Sequence, residues 1–274
     1  MTINCKGKLI DLSQPKVMGI LNITPDSFYD GGKYTKKKNI LLQAETMLGE
    51  GATFIDVGAY SSRPGAAEIP EEIETKRIVP MIMALQKEFP ESLLSIDTFR
   101  STVAAQCLQA GAALINDISA GMLDKDMFDT IATYQVPYIM MHMRGMPKNM
   151  QQNTTYENLL TEILHFFSER IALARSKSIN DLIVDPGFGF AKNLEQNYEL
   201  LRQLHLFNTL ELPLLAGLSR KSMVYKIVGG GAENALNGTT ALNMVALQNG
   251  ASILRVHDVK EAVECIKLAK ALAS

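Results

Sequence analysis

The sequence predicts an α/β protein, a single (β/α)8 TIM barrel over residues 1–274, on three observations. Eight short apolar runs recur along the chain, at 17–21, 54–57, 93–96, 112–115, 138–141, 182–184, 214–216 and 253–256. Each is continuous rather than alternating, as parallel strands covered on both faces require, and amphipathic stretches of helical period separate them. Nearly every run also ends in a polar residue that a buried strand does not need. These are Asn22, Asp56, Asp97, Asn116 with Asp117, His142, Asp185, and Arg255 with His257. In a closed barrel such strand ends converge on one mouth, whereas in an open doubly wound sheet they spread along a line.

Taken in order, the first run leads into Thr24-Pro25-Asp26-Ser27-Phe28-Tyr29-Asp30-Gly31-Gly32, rich in breakers and long for a barrel loop. The second leads into a similar loop at 59–65, where Arg63 sits beside Pro64. Both loops are expected to be mobile. Lys36, Lys37 and Lys38 read as the solvated face of the first helix. A helix follows Pro70, and Pro80 inside it predicts a kink or break. Beyond the fifth run, Tyr156, Leu159, Leu160, Ile163, Phe167, Ile171 and Ala174 form one apolar helical face, with Thr154 and Glu157 as its capping box. Asn193 with Gln196 and Asp258 with Glu261 repeat the device before the next helix and the last. The seventh run leaves through Gly217 towards Ser219, Arg220 and Lys221, where a helix is expected to start.

Composition narrows the class. Hydrophobic residues make up 47% and charged residues 20% of the chain, which excludes intrinsic disorder. A net charge of −2 provides no global basic field for nucleic acid or anionic lipid. Cys5, Cys107 and Cys265 lie far apart, so they read as reduced thiols of a cytoplasmic protein rather than a disulfide or zinc framework. No apolar run approaches the roughly 18 residues that span a bilayer.

Two charge classes meet at the expected mouth. Arg255 and His257 are two apart on an extended segment and share a side, an arrangement suited to phosphate or pyrophosphate oxygens. Lys221 lies near a helix start after the seventh run, where barrels often bind phosphate. Asp97 and Asp185 can accept paired N–H donors, as from the amino-pyrimidine edge of a pterin or guanine, and Asn116 can complete such an edge. Asp97, preceding Thr98, is also a helix-cap candidate, and Asp56 reads as structural or as support behind the site. His142 has no metal-ligand partner at HxxxH spacing and reads as a packed strand-end histidine. DPGFGF from Asp185 is not GxGxxG, which argues against dinucleotide binding.

These motifs resemble the dihydropteroate synthases in order and spacing. The match runs through MGILNITPDSF from Met18, IDVG from Ile55, SRPGA from Ser62, SIDT from Ser95, IND from Ile115 and MMHM from Met140. It continues through DPGFGF from Asp185, GLSRKS from Gly217 and ILRVHDV from Ile253, covering essentially the whole chain. The resemblance implies a barrel that condenses 6-hydroxymethyl-7,8-dihydropterin pyrophosphate with p-aminobenzoate, releasing pyrophosphate and 7,8-dihydropteroate, with Mg²⁺ as cofactor and a homodimer as the assembly. It further implies Asn22 as the metal contact. Asp97, Asn116, Met140, Asp185, Lys221 and Arg255 would form the pterin pocket, with Lys221, Asp97 and Asp185 acting in catalysis. Asn22, Arg63, Arg255 and His257 would hold pyrophosphate, and Phe28, Ser62, Pro64, Phe190 and Ser219 the p-aminobenzoate wall. The chain departs from the family at Tyr60-Ser61-Ser62, where many members carry Glu-Ser-Thr. A methyltetrahydrofolate-binding methyl transfer domain and a non-catalytic pterin-binding homologue are the alternative readings.

Overall fold

The computed structural model describes residues 1–23, 33–60 and 69–273, so most of the two long loops, with Phe28, Ser62, Arg63 and Pro64, lies outside the described residues. The chain begins with an antiparallel hairpin, β1 (Thr2–Cys5) and β2 (Lys8–Asp11), which the eight-run reading does not include. Its signal is local. Lys6 and Gly7 both take positive φ, 54° and 81°, as a two-residue hairpin turn of the primed type requires. On either side Ile3, Cys5, Ile10 and Leu12 alternate with exposed positions.

The eight predicted runs then form one parallel ring. They are β3 (Lys16–Asn22), β4 (Phe54–Gly58), β5 (Leu93–Asp97), β6 (Leu114–Asp117), β7 (Tyr138–Met141), β8 (Leu182–Asp185), β9 (Leu215–Ala216) and β10 (Ile253–Val256). Neighbours pair in the order β8-β7-β6-β5-β4-β3-β10-β9. The ring closes through a parallel bridge between Val184 and Leu214, with the Val184 N–H donating to Pro213 O at 3.0 Å. Around it lie α1 (Lys33–Gly49), α2 (Glu71–Glu88), α3 (Ser101–Gln109), α4 (Met127–Tyr134), α5 (Leu159–Ser176), α6 (Leu194–Arg202), α7 (Ser222–Val228), α8 (Leu236–Gln248) and α9 (Val259–Ala273).

Several local expectations change. The fourth strand starts at Leu114 rather than at 112, because Ala112 N–H still donates to Cys107 O at 3.0 Å in the turn that ends α3. Pro80 does not break α2: it is exposed, so the carbonyl it deprives of a partner faces water. Thr154 and Glu157 do not cap α5. Asn158 does, accepting from Thr161 N–H at 3.0 Å, while Glu162 reaches back to the N–H groups of Glu157 and Asn158. The Asn193–Gln196 capping box is present as expected. Asp258 instead directs both carboxylate oxygens to Arg220.

Side chains alternate across the ring between two environments. Ile55, Val57, Ile96, Ile115, Met140 and Val184 point outward into the layer shared with the helices. Met18, Phe54, Leu93, Ile139 and Ile183 point into the lumen at its N-terminal end, where the hairpin's Ile3, Cys5, Ile10 and Leu12 cover them. This apolar floor closes one end of the barrel, so polar chemistry is confined to the C-terminal mouth. Ile3→Ala is expected to cost about 2–4 kcal/mol, through lost burial and a cavity in the floor, with urea unfolding as the measurement. A change below about 0.5 kcal/mol would show that the hairpin is not part of the core.

Candidate active site

Immediately above the floor the lumen becomes polar, because the inward positions of the strands now carry charge. Arg255 on β10 reaches across β3 to β4 and β5. Its Nε donates to Asp56 Oδ2 and its Nη2 to Asp97 Oδ2, each at 2.6 Å. Asn116 Nδ2 donates to the same Asp56 oxygen at 3.0 Å. Asp56 Oδ1 is buried with no partner among the described residues. Asp56 is therefore the hub of the polar layer, beyond the supporting role read from the sequence. Asp97 is not a helix cap, since Arg100 occupies that position at α3. Burial pushes the Asp97 carboxyl up to about 7 against the pull of Arg255. Asp56 and Asp97 in turn hold the Arg255 guanidinium charged well above its usual range, despite the desolvation that opposes it.

Asp185 at the end of β8 and Lys221 form the second half of the polar layer. Asp185 Oδ1 accepts the Gly187 N–H at 2.8 Å, and burial raises its carboxyl while Lys221 opposes the shift. Lys221 stands at the start of α7, as the sequence predicts, and its Nζ donates to Phe188 O. Burial lowers its ammonium to about 8, with Asp185 pulling the other way. Its neighbour Arg220, at φ 55°, turns away and forms a bidentate pair with Asp258 at 2.7 and 2.8 Å. One adjacent pair of cations is thus divided between scaffold and site.

His257 sits beyond Arg255 on the same side of the chain. Ser219 Oγ accepts the His257 backbone N–H at 3.1 Å and lies 3.0 Å from Nδ1. With one proton and a second lone pair, that hydroxyl can either donate to Nδ1 or accept from it, so it pairs with the ring in either neutral tautomer. Ser219, expected in the p-aminobenzoate wall, is buried and engaged with His257. Asn22 ends β3 half-buried, level with Gly58 on β4. Phe190 is half-buried, with Lys221 Nζ 5.0 Å from its ring centre, and packs against Phe99, Ile118, Met141 and Met143.

Met140 does not line the mouth. Strand parity sends its side chain into the helix layer, and Met141, level with Asp185 in the sheet, takes the inward face beside Phe190. The same parity separates Asn116 from Asp117, whose buried carboxylate accepts from Ser119, Gly121 and Tyr138 outside the lumen. His142 is packed as expected, its ring edge-on to Phe166 at 5.0 Å and its basicity pushed well down by burial.

Two features escape sequence reasoning. Lys192 is almost fully buried beside His142, although a lone lysine after a glycine-rich loop reads as solvated. Arg100 contacts both sides of the segment 61–68: its guanidinium lies 5.6 Å from the Tyr60 ring centre and donates to Ile69 O at 2.7 Å. Buried Glu74 on α2 anchors that guanidinium from behind. Tyr60, the family departure, also packs edge-on against Phe99 at 5.5 Å.

The comparisons with known proteins show the family. The pterin binding enzyme family matches residues 18–257, from the first barrel strand to His257. The dihydropteroate synthase of Escherichia coli K12 is 42% identical over 276 residues, covering 100% of this chain and 97% of its own. This chain belongs to the dihydropteroate synthases. It is accordingly a transferase of folate synthesis. The dihydropteroate synthase of Yersinia pestis, solved with a sulfonamide drug complex, superposes with a TM-score of 0.93 at 44% identity, covering 100% of this chain and 99% of that one. That of Xanthomonas albilineans, in complex with 7,8-dihydropteroate, gives 0.90 at 34% identity, with coverage of 100% and 99%.

The elevated Asp97 carboxyl has a stability consequence. With a folded value near 7 and an ordinary value of 3.8, its contribution is full below 3.8 and is lost as pH rises through about 7. The stability difference between wild type and Asp97→Asn should therefore fall steadily from pH 4 to pH 7 and level off above, read by urea unfolding at each pH. A difference that is flat over this window would place Asp97 at an ordinary carboxylate value.

Proposed function

We propose that this chain condenses 6-hydroxymethyl-7,8-dihydropterin pyrophosphate with p-aminobenzoate by departure of pyrophosphate before the amine attacks. The observation that carries the reading is the two-tier mouth: half-buried Asp97 and buried Asp185 below, with Lys221, Arg255 and His257 around them. Carboxylates and the Asn116 amide in such a layer match the donors of a pterin's amino-pyrimidine edge. Arg255, its plane held by Asp56 and Asp97, is set to stack on the ring, and Met141 rather than Met140 to line it. His257, its Nδ1 beside Ser219 Oγ, and Arg255 suit the pyrophosphate, with Arg63 as their third member.

Asn22 fits a Mg²⁺ contact. Its side-chain carbonyl is a hard oxygen ligand, half-buried at the mouth. Among the described residues no cluster of three or more His, Cys, Asp or Glu could form a protein cage. A site of one protein oxygen, substrate phosphates and water is the usual Mg²⁺ arrangement. When bound, Mg²⁺ would neutralise charge on the leaving pyrophosphate.

Once that group leaves, the electron-poor pterin methylene is stabilised by Asp97 and Asp185, and Lys221 holds its place between Asp185 and Phe188 O. The aryl amine, neutral at pH 7, attacks without a strong base. Phe190, with Phe28, Ser62 and Pro64, would flank it. A cytoplasmic homodimer completes the reading. Exposed Ile227 and Val228 on α7 and Leu268 and Leu272 on α9 supply apolar surface for a second copy, and among the described residues no helix is long and apolar enough to cross a membrane.

Pyrophosphate release with formation of dihydropteroate from both substrates and Mg²⁺ tests the activity, and no release under these conditions would reject it. Asp185→Asn should weaken the pterin substrate roughly 10–150-fold, the equivalent of one charge-assisted hydrogen bond of about 1.5–3 kcal/mol. Calorimetric titration measures this, and an unchanged dissociation constant would remove Asp185 from the pterin pocket.

A further inference from the structure

Beneath the loop that follows β8 lies a lysine that none of the roles above uses. Lys192 is 2% exposed. Its Nζ has three partners: His142 Nδ1 at 3.1 Å, Gly187 O at 3.0 Å and Phe190 O at 3.0 Å. An ammonium carries three protons, so each finds an acceptor, provided that Nδ1 of His142 is unprotonated. Burial pushes the His142 imidazolium well down and so favours a neutral ring, with Lys192 adding to the shift, and the ammonium facing Nδ1 then favours the tautomer whose proton is on Nε2. Burial also lowers the Lys192 ammonium to about 7, against the attraction of Asp185 and with the repulsion of Lys221 and Arg144.

The loop held by this lysine has no ladder of its own. Gly187, Gly189 and Ala191 all take positive φ, at 74°, 80° and 50°. A Cβ on Gly187 would lie 2.1 Å from His142 O, so the loops after β7 and β8 meet without room for a side chain. Separate side chains hold its other groups. Asp185 takes the Gly187 N–H, Asn197 the Gly189 N–H at 2.6 Å, Gln151 donates to Gly189 O at 2.9 Å, and Lys221 donates to Phe188 O. These contacts place residues 187–189. Phe190 O is held by Lys192, and the Phe190 N–H donates to Gly187 O, the second carbonyl that Lys192 holds.

We infer that Lys192 and His142 form a positioning pair for the known reaction, setting Phe190 against Lys221 and thereby the aryl-amine side of the site. Neither residue touches the mouth, so their effect passes through the loop. Of the pterin-side groups, Asp97, Asn116 and Arg255 are not contacted by Lys192, while Asp185 and Lys221 meet the loop at the Gly187 N–H and Phe188 O rather than at the two carbonyls that Lys192 holds. Loss of the pair should therefore weaken one substrate and spare the other. The inference rests on the assignment of Phe190 to the p-aminobenzoate wall.

Lys192→Met keeps the aliphatic stem and removes all three donors. It should raise KM for p-aminobenzoate at least about tenfold while changing the dissociation constant of the pterin substrate less than about threefold. His142→Phe keeps a ring against Phe166 and removes both ring nitrogens, including the Nδ1 that faces Lys192. It should shift the same KM in the same direction by about threefold, and it carries the test if Lys192→Met does not fold. Far-UV circular dichroism and thermal unfolding check the fold of both. An equal rise for both substrates, or no rise for either, would overturn the positioning role. Wild-type enzyme that forms no dihydropteroate would reject the proposed function instead, so the two failures are distinguishable.

Discussion

Arg255 is the group on which the mouth depends. Its guanidinium is half-buried in the lumen and bridges Asp56 on β4 and Asp97 on β5 from the far side of β3. Without a cation here, two carboxylates would lie desolvated near one another. Without the carboxylates, a half-buried guanidinium would be left uncompensated. The network is therefore interdependent, and it fixes the acceptors that a planar, donor-rich ligand edge can meet. Asp56 Oδ1 keeps its lone pairs unused within it.

That arrangement depends on the barrel in two ways. Parallel pairing brings alternate side chains of β4, β5, β6 and β10 into one lumen, where residues up to 199 apart in sequence are hydrogen-bonded. The hairpin floor removes water from below, which raises the cost of leaving any of these groups unpaired. The same low-dielectric setting pushes Asp97 and Asp185 up and Lys221 down. Groups poised in this way exchange partners with a ligand more readily than fully solvated ones.

Adjacent residues with the same chemistry often do different work. Arg220 ties β9's exit to Asp258 while Lys221 enters the site. Asn116 joins the floor while Asp117 holds the turn after β6. Met140 fills the helix layer while Met141 lines the mouth. In the two strand pairs one side chain points inward and its neighbour outward, so a single step in register reverses structural and functional roles, and at Arg220 a positive φ does the same in a turn.

The sequence by itself determined the class of fold, the eight barrel strands and the mouth that carries the chemistry, because buried parallel strands must be apolar and their polar ends are conspicuous exceptions. Its motifs also determined the family. The capping box at Asn193 was legible for a similar reason, being a contact within four residues. Tertiary structure alone decided which face each end residue takes, that Asp56 is a hub rather than a support, and that Ser219 serves His257. It alone buried Lys192 under a loop, since a lysine's surroundings depend on β7, β8 and α6 meeting there, and no local pattern encodes the approach of three elements. Local chemistry specifies strands and turns through near neighbours. The site is assembled from contacts across the barrel, which exist only once the ring has closed.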